Sequence, residues 1–296
     1  MTGILRSVLL CLAVWLTGQA ATAGTLVVYP RAQSPTDSQY LYDYELLHLA
    51  IERTAKTFGS YELRASTLPM NQARAAREII AGSGAVTIFA RSTSIEHETD
   101  MLPIRIPIDK GLVSYRVFLI RAGDQARFAE VQALDQLRQF SVGSFLTWTD
   151  TKILRNGGFN VVTGDNYESL FKMLVGGRFD FFSRSADEAY REYDERRDAL
   201  PDLKVEDTIL LYFPTTRYFF VQRSPAGEEL AKRVEFGLNQ MIKDGSFDAY
   251  FRIRNGPLIE RAHLKSRKIF RIPNPYLSPE TPLQRRELWF DPLVDK

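Results

Sequence analysis

Residues 25–29 read TLVVY, residues 42–58 read YDYELLHLAIERTAKTF and residues 85–90 read AVTIFA. The first is a short β-branched run ended by Pro30, the pattern of a buried strand. In the second, Leu46, Leu47, Leu49, Ala50, Ile51, Ala55 and Phe58 fall at helical spacing, and Gly59 stops them. Residues 61–65 read as a strand, and 71–81 as a helix closed by Gly82 and Gly84. The third run is again a buried strand, so the order over these ninety residues is β-α-β-α-β.

The alternation continues outward. Strands are expected at 113–121, 140–143, 160–163, 179–183, 208–213 and 218–222, the last two separated by Pro214. Helices are expected at 128–137, 151–156, 167–175, 228–244 and 247–254; Gly157-Gly158 and Gly176-Gly177 end two of them. Residues 186–200, ADEAYREYDERRDAL, are charge-rich and read as a solvated helix. Alternation throughout predicts an α/β fold with mainly parallel sheets. A helix, a glycine stop and a buried strand occur at 71–90 and again at 167–184. That echo suggests two α/β lobes of similar plan, although any α/β chain shows such echoes.

The composition narrows the function classes. Among 296 residues, 38 Lys and Arg balance 36 Asp and Glu, a net charge of +2 that argues against a dedicated nucleic-acid binder. A hydrophobic share of 45% and a charged share of 25% are those of a globular chain with a sizeable core. One cysteine, Cys11, excludes a disulfide framework and a cysteine zinc site. His48, His97 and His263 form no metal motif, and no cofactor is expected.

Residues 1–23 read as a secretory signal peptide. Arg6 supplies the positive region, residues 8–16 (VLLCLAVWL) an apolar run too short to span a bilayer, and Ala21-Thr22-Ala23 the cleavage site. The alternative is an uncleaved anchor. Cleavage would leave a soluble, cysteine-free periplasmic chain starting at Gly24.

Four local features carry a resemblance: Tyr29-Pro30 at the end of the first strand, Tyr44-Glu45 opening the first helix, Gly177-Arg178-Phe179-Asp180 before a later strand, and the closing Asp244-Gly245-Ser246-Phe247-Asp248-x-x-Phe251. In order and spacing over residues 25–255 the chain resembles the type 2 periplasmic binding proteins, extracellular solute-binding family 3, which includes amino-acid binders of ABC importers. The resemblance implies two lobes joined by two crossover strands, with a ligand between them. Lobe 1 would span 24–113 and 217–255, lobe 2 114–216, with a C-terminal extension at 256–296. The crossovers would fall near 114–116 and 215–218, a hinge for rigid closure.

The chain departs from that family where it matters. His97 stands where amino-acid binders carry a carboxylate-pairing arginine, and Arg184 or Ser185 where they carry an ammonium-pairing aspartate. Ala85 replaces another family aspartate. A standard zwitterionic ligand is therefore not expected. Arg91 and Arg184 follow corresponding strands of the two lobes. Facing across the cleft they would favour an anion, a carboxylate or a phosphorylated compound; the alternative is that both are surface arginines. Arg116 is either a third contact or a hinge ion pair. Arg74 lies in the first turn of a helix, where a cation is disfavoured, so it either has a local partner or faces solvent. Thr147-Trp148-Thr149-Asp150 precedes a helix, giving an anion site or a cap. Trp148 is a ligand wall or lobe core, and Tyr29, with Tyr40 and Tyr42, would line the opposite wall. Residues 256–296 are a strap packed on the lobes through Phe270, Tyr276, Leu288 and Trp289, or a partner- or membrane-surface contact through the basic run at 260–271.

Three functions compete. The first is a monomeric, non-enzymatic solute-binding protein whose closed form is read by an ABC permease or a membrane sensor. The second is a dehydratase-like enzyme on the same scaffold, using His97 with Glu96 or Glu98. The third is a structural or assembly role without ligand.

Overall fold

The computed structural model describes residues 24–33, 38 and 40–294; the leader expected at 1–23 lies outside the described residues. In chain order the elements begin with β1 (Thr25–Arg31), α1 (Leu41–Glu52), α2 (Ala55–Phe58), β2 (Tyr61–Pro69), α3 (Gln72–Ala81), β3 (Ile88–Ser92), α4 (Ile95–Asp100) and β4 (Leu102–Ile104). The chain then builds β5 (Tyr115–Arg121), α5 (Gln125–Ala129), α6 (Leu134–Leu137), β6 (Val142–Phe145), α7 (Thr149–Asn156), β7 (Val161–Gly164), α8 (Tyr167–Val175), β8 (Phe181–Ser185), α9 (Ala186–Arg196), β9 (Leu203–Val205) and β10 (Ile209–Tyr212). It returns with β11 (Arg217–Val221), α10 (Pro225–Lys243) and α11 (Ser246–Ala262), and ends with β12 (Lys268–Arg271) and an irregular tail.

These elements form a two-lobed α/β fold. In one lobe β1 pairs with β2 in parallel, and β11 pairs antiparallel with β3 and β4. Thr87 N–H joins the two ladders by donating to Val28 O at 2.9 Å. The second lobe is one sheet in the order β12-β10-β5-β8-β6-β7, with β9 also on β5. The expectation of mainly parallel sheets is corrected here. The strands that carry the chain between lobes, β5 and β11, run against their neighbours, so the second-lobe sheet is mixed and the β3-β11-β4 sheet of the first lobe is antiparallel, beside the parallel β1-β2 pair.

Local chemistry sets the element ends. Asn71 caps α3 by accepting from Arg74 N–H at 2.9 Å, and Gly82 closes it at φ +62°. The helix expected over 42–58 breaks after Glu52, where Thr54 Oγ1 donates back to Ile51 O at 2.6 Å. The helix expected over 128–137 is two short pieces. That expected over 247–254 runs on through Pro257 to Ala262, because Leu258, Ile259 and Ala262 continue the apolar face.

The largest correction concerns α9. Only part of its charge is solvated: Asp194 and Glu195 are exposed, but Asp187, Glu188, Glu192 and Arg196 are all buried. Each meets an opposite charge from another part of the fold, described below.

The end of the chain ties the lobes together. α11 starts on the first lobe, where Tyr250 OH donates to Tyr42 O at 2.9 Å. It finishes on α9, where Arg261 pairs with Asp194 at 2.5 Å. β12 then joins the second sheet beside β10. The tail beyond it packs as a strap behind both crossovers. Asn274 Nδ2 donates to Pro214 O at 2.8 Å, Ile95 N–H to Tyr276 O at 2.8 Å and Phe290 N–H to Lys110 O at 2.9 Å. Trp289 covers Gly111 so closely that a Cβ there would lie 2.4 Å from the indole. In the basic run, Arg267 is buried and donates to Ala262 O, Glu206 O and Ile209 O.

Candidate functional site

The middle of the interlobe cleft is filled by the chain's own ions. Arg217, at the start of β11, reaches Asp43 of α1 and Asp109 at 3.6 Å each, Asp187 at 3.7 Å and Glu188 at 4.0 Å. Burial alone would lower the Arg217 pKa, but these carboxylates outweigh it and hold the guanidinium charged. Beside it, Arg184 donates twice to Glu192, at 2.8 and 2.6 Å, and lies 3.1 Å from Glu188. Arg116 donates to Asp150 Oδ2 at 2.7 Å, to Ser183 O at 3.0 Å and to Val113 O at 3.1 Å. The space left among these groups is about 40 Å³. That admits a water or two and is far below the roughly 300 Å³ at which small-molecule pockets begin.

One member of this network is out of balance. Asp43 is buried, and its Oδ1 has no hydrogen-bond partner. Burial raises its pKa to about 7, with Arg217 opposing and Asp109, Asp187 and Glu188 adding to the rise.

A second interlobe cavity, of about 380 Å³, lies alongside. One wall is α3, Arg91 of β3 and Ile95, Glu96, His97 and Asp100 of α4; the other is the loop into α7, with Leu146, Thr147 and Trp148. Tyr276 of the strap closes one end. Arg91 is only 5% exposed, and its Nε has no hydrogen-bond partner. Among the described residues no carboxylate lies within ion-pairing distance of it. Burial lowers its pKa to about 10, which still leaves it charged at neutral pH. Lys152, the other strong cation of this cavity, is paired with Glu96.

The nine candidate residues thus separate. Arg91, His97, Thr147 and Trp148 share the larger cavity; Arg116, Trp148 and Arg184 line the smaller one. Trp148 belongs to both, and the Arg184 guanidinium sits 4.5 Å from its ring centroid. Ser185 is fully buried, its Oγ donating to Asp187 at 2.6 Å and its N–H accepted by Glu188 at 3.2 Å, so it caps α9. Arg74 stands 3.7 Å from Glu78 on the half-exposed side of α3 and lines neither cavity. Tyr29 stacks on Tyr44 at 4.3 Å and faces a separate groove on the first lobe. Tyr42 is in the core, donating to Ile108 O at 2.8 Å. Arg91 and Arg184 do not form a pair of free guanidiniums across one gap, because Glu188 and Glu192 already neutralise Arg184.

The proposed acid–base set is also committed elsewhere. Burial first, and then Arg91, push the His97 pKa down to about 3, so the imidazole is neutral. Its Nδ1 lies 3.2 Å from Ser92 O, which places the proton on Nδ1. Glu98 accepts from Thr93 Oγ1 at 2.6 Å and from Arg105. Among the described residues no group of three His, Cys, Asp or Glu side chains is placed to hold a metal ion. No helix among them is long and apolar enough to cross a membrane.

Sequence reasoning missed Asp43, Asp109, Arg217, Asp187, Glu188 and Glu192. Asp43 was hidden in an apolar helix, Arg217 stood one residue before a strand, and the acids of α9 looked solvated. Acidic residues directly after β8, which carries Arg184 and ends at Ser185, were the one available signal.

No family model matches the sequence, and no curated protein matches it. Solved structures do match. One is an ancestral arginine-binding protein bound to arginine, with TM-score 0.56 and 20% identity, covering 78% of this chain and 98% of that one. Another is a putative binding component of an ABC transporter from Wolinella succinogenes complexed with lysine, with TM-score 0.57 and 15% identity, covering 79% and 96%. A third is a histidine kinase sensor domain with similarity to periplasmic binding proteins, with TM-score 0.54 and 17% identity, covering 79% and 96%. Two α/β lobes, crossovers entering β5 and β11 and a cleft between them give this chain the two-lobed fold of the type 2 periplasmic binding proteins.

Proposed function

We propose that the chain is an exported solute-binding protein that takes a small anion in the 380 Å³ interlobe cavity, anchored by Arg91, and presents its closed form to a membrane permease or sensor. The observation that carries this reading is the Arg91 guanidinium, buried on a cavity wall with its Nε unpartnered and, among the described residues, no carboxylate within ion-pairing distance; Glu96 of the same cavity acts on it only from further off. A buried cation without a partner is costly, and an anion entering the cavity would offset that by forked, charge-assisted hydrogen bonds. Trp148, Ala76, Ile80 and Leu146 offer an apolar wall to the rest of the solute. The volume lies within the usual range for small-molecule sites. Both a permease-type binding component and a kinase sensor domain share the fold, so the fold is compatible with either reader.

Calorimetric titration with a panel of mono- and dicarboxylates, phosphorylated compounds and amino acids tests the reading. An anion should bind to the parent and lose at least about tenfold in affinity in Arg91→Met. A hit that binds both proteins equally would remove Arg91 as the anchor.

One observation favours a second reading, a structural role without ligand: the centre of the cleft is packed with internal ion pairs. An empty panel, together with scattering curves that no anion alters, would favour it.

A further inference from the structure

We infer that the strap builds a second small-molecule site behind the hinge, for an aromatic carboxylate carrying a ring hydroxyl. A cavity of about 470 Å³ opens there between the two crossovers and the tail. Its walls are aromatic: Tyr115 and Tyr212, with ring centroids 5.1 Å apart, face Trp289 and Phe290 of the strap. Such walls favour a flat ring held by offset or edge contacts. Two polar groups then select the substituents. Thr215 is 1% exposed, lines the cavity, and its Oγ1 has no hydrogen-bond partner. A buried hydroxyl left unpaired is unfavourable, and a ring hydroxyl would satisfy it. Arg286 is exposed at the rim, and among the described residues no carboxylate pairs with it. Asp291, also in the wall, accepts from Tyr115 OH at 3.0 Å and from Leu293 N–H at 2.9 Å. The solute's carboxylate therefore belongs at the Arg286 end.

The position gives the site a consequence. Ser114 and Thr215, one from each crossover, are hydrogen-bonded to each other in both directions, at 2.7 and 2.9 Å. A molecule seated here touches both crossovers and the strap together, so its binding is linked to any rotation of the lobes. This cavity is separate from the Arg91 cavity and does not depend on what that one holds.

The test is calorimetry on the full mature chain with 4-hydroxyphenylacetate as probe, and with phenylacetate, 4-hydroxyphenylethanol and acetate as comparisons. The probe should bind. Phenylacetate, 4-hydroxyphenylethanol and the Arg286→Ala protein should each weaken binding about tenfold, and acetate should give no signal. Arg91→Met should bind the probe as the parent does. Silence from the parent at millimolar probe overturns the inference. So does equal affinity in Arg286→Ala, whose exposed position leaves folding intact. Loss of binding in Arg91→Met would place the probe in the interlobe cavity instead and overturn it equally.

Discussion

Arg217 Nη1 stands 3.6 Å from Asp43 Oδ2, and both side chains are buried. The attraction does not keep Asp43 at an ordinary carboxyl value, because burial and three neighbouring carboxylates outweigh it. The structure therefore carries a proton-sensitive group at the centre of the lobe contact.

Its sign is fixed by linkage. The folded pKa of Asp43, about 7, lies above the ordinary 3.8. Its contribution to stability is complete below the lower value and is lost as pH rises through the upper one. His97 works the other way. Its folded value of about 3 lies below 6.5, so its contribution is present above that and is lost on acidification. Urea midpoints at stepped pH should show the parent losing stability relative to Asp43→Asn between about pH 4 and 7, by a few kcal/mol. Relative to His97→Gln the parent should lose stability as pH falls from about 6.5 toward 3. A flat difference between parent and Asp43→Asn would refute the assignment.

Glu192 accepts two bonds from Arg184 and one from Tyr167 OH, and is fully buried. Replacing it by Gln leaves Arg184 with Glu188 alone. Breaking a buried pair in this way costs about 3–5 kcal/mol, and the remaining acid should hold the loss to the lower end. Equilibrium denaturation measures it, and a loss below about 1 kcal/mol would show that Glu188 alone suffices.

Gly237 lets α10 pass against α1. An added Cβ would lie 2.1 Å from Ala50 O, which as backbone cannot step aside. Gly237→Ala should cost about 1–3 kcal/mol through overpacking. Gly256, in α11 with open space around it, is the paired control. There the same change should gain about 0.5–1 kcal/mol from helix propensity. Equal effects at both sites would contradict the close crossing.

Ending the chain at Asn274 removes Trp289 from Gly111 and Glu287 O from the Lys110 ammonium, which the latter contacts at 2.7 Å. Leu288, fully buried, goes too. The shortened protein should melt on the order of 10 °C lower and show a larger radius of gyration in X-ray scattering. An unchanged scattering curve would mean that the strap does not restrain the lobes.

Local periodicity made the lobes legible. The runs at 25–29 and 85–90 alternate with helices at short range, and nothing distant is needed to read them. What escaped depends on partners far away in the chain. Lys268–Arg271 is only four residues, and its parallel pairing with Ile209–Tyr212 joins segments almost sixty residues apart. Residues 186–200 carry a solvated pattern, yet Arg217, Arg184 and Glu168 arrive from other elements to pair with Asp187, Glu188, Glu192 and Arg196. A charge pattern records which residues are polar; tertiary neighbours decide whether they are wet. Of the candidate site, Arg91 was legible because it follows directly from the apolar run 85–90, and Trp148 because it stands in the loop that leads into a helix. Tyr29 was not, because the face of β1 it occupies is set by packing against Tyr44.

The passage of α11 from one lobe to the other has a mechanical corollary. Two pivots define a line, and a body held only there can swing about it as a door does. α11 is a further attachment, roughly 25 Å long, fastened at one end to Tyr42 and at the other to Asp194, away from that line. A door latched off its axis turns only when the latch slips, and here the latch is the exposed Arg261–Asp194 pair, which closure has to loosen. Relative displacement of the halves is left with shear of α11 along α9, or flexure at Pro257, the position in that helix with no amide hydrogen to give.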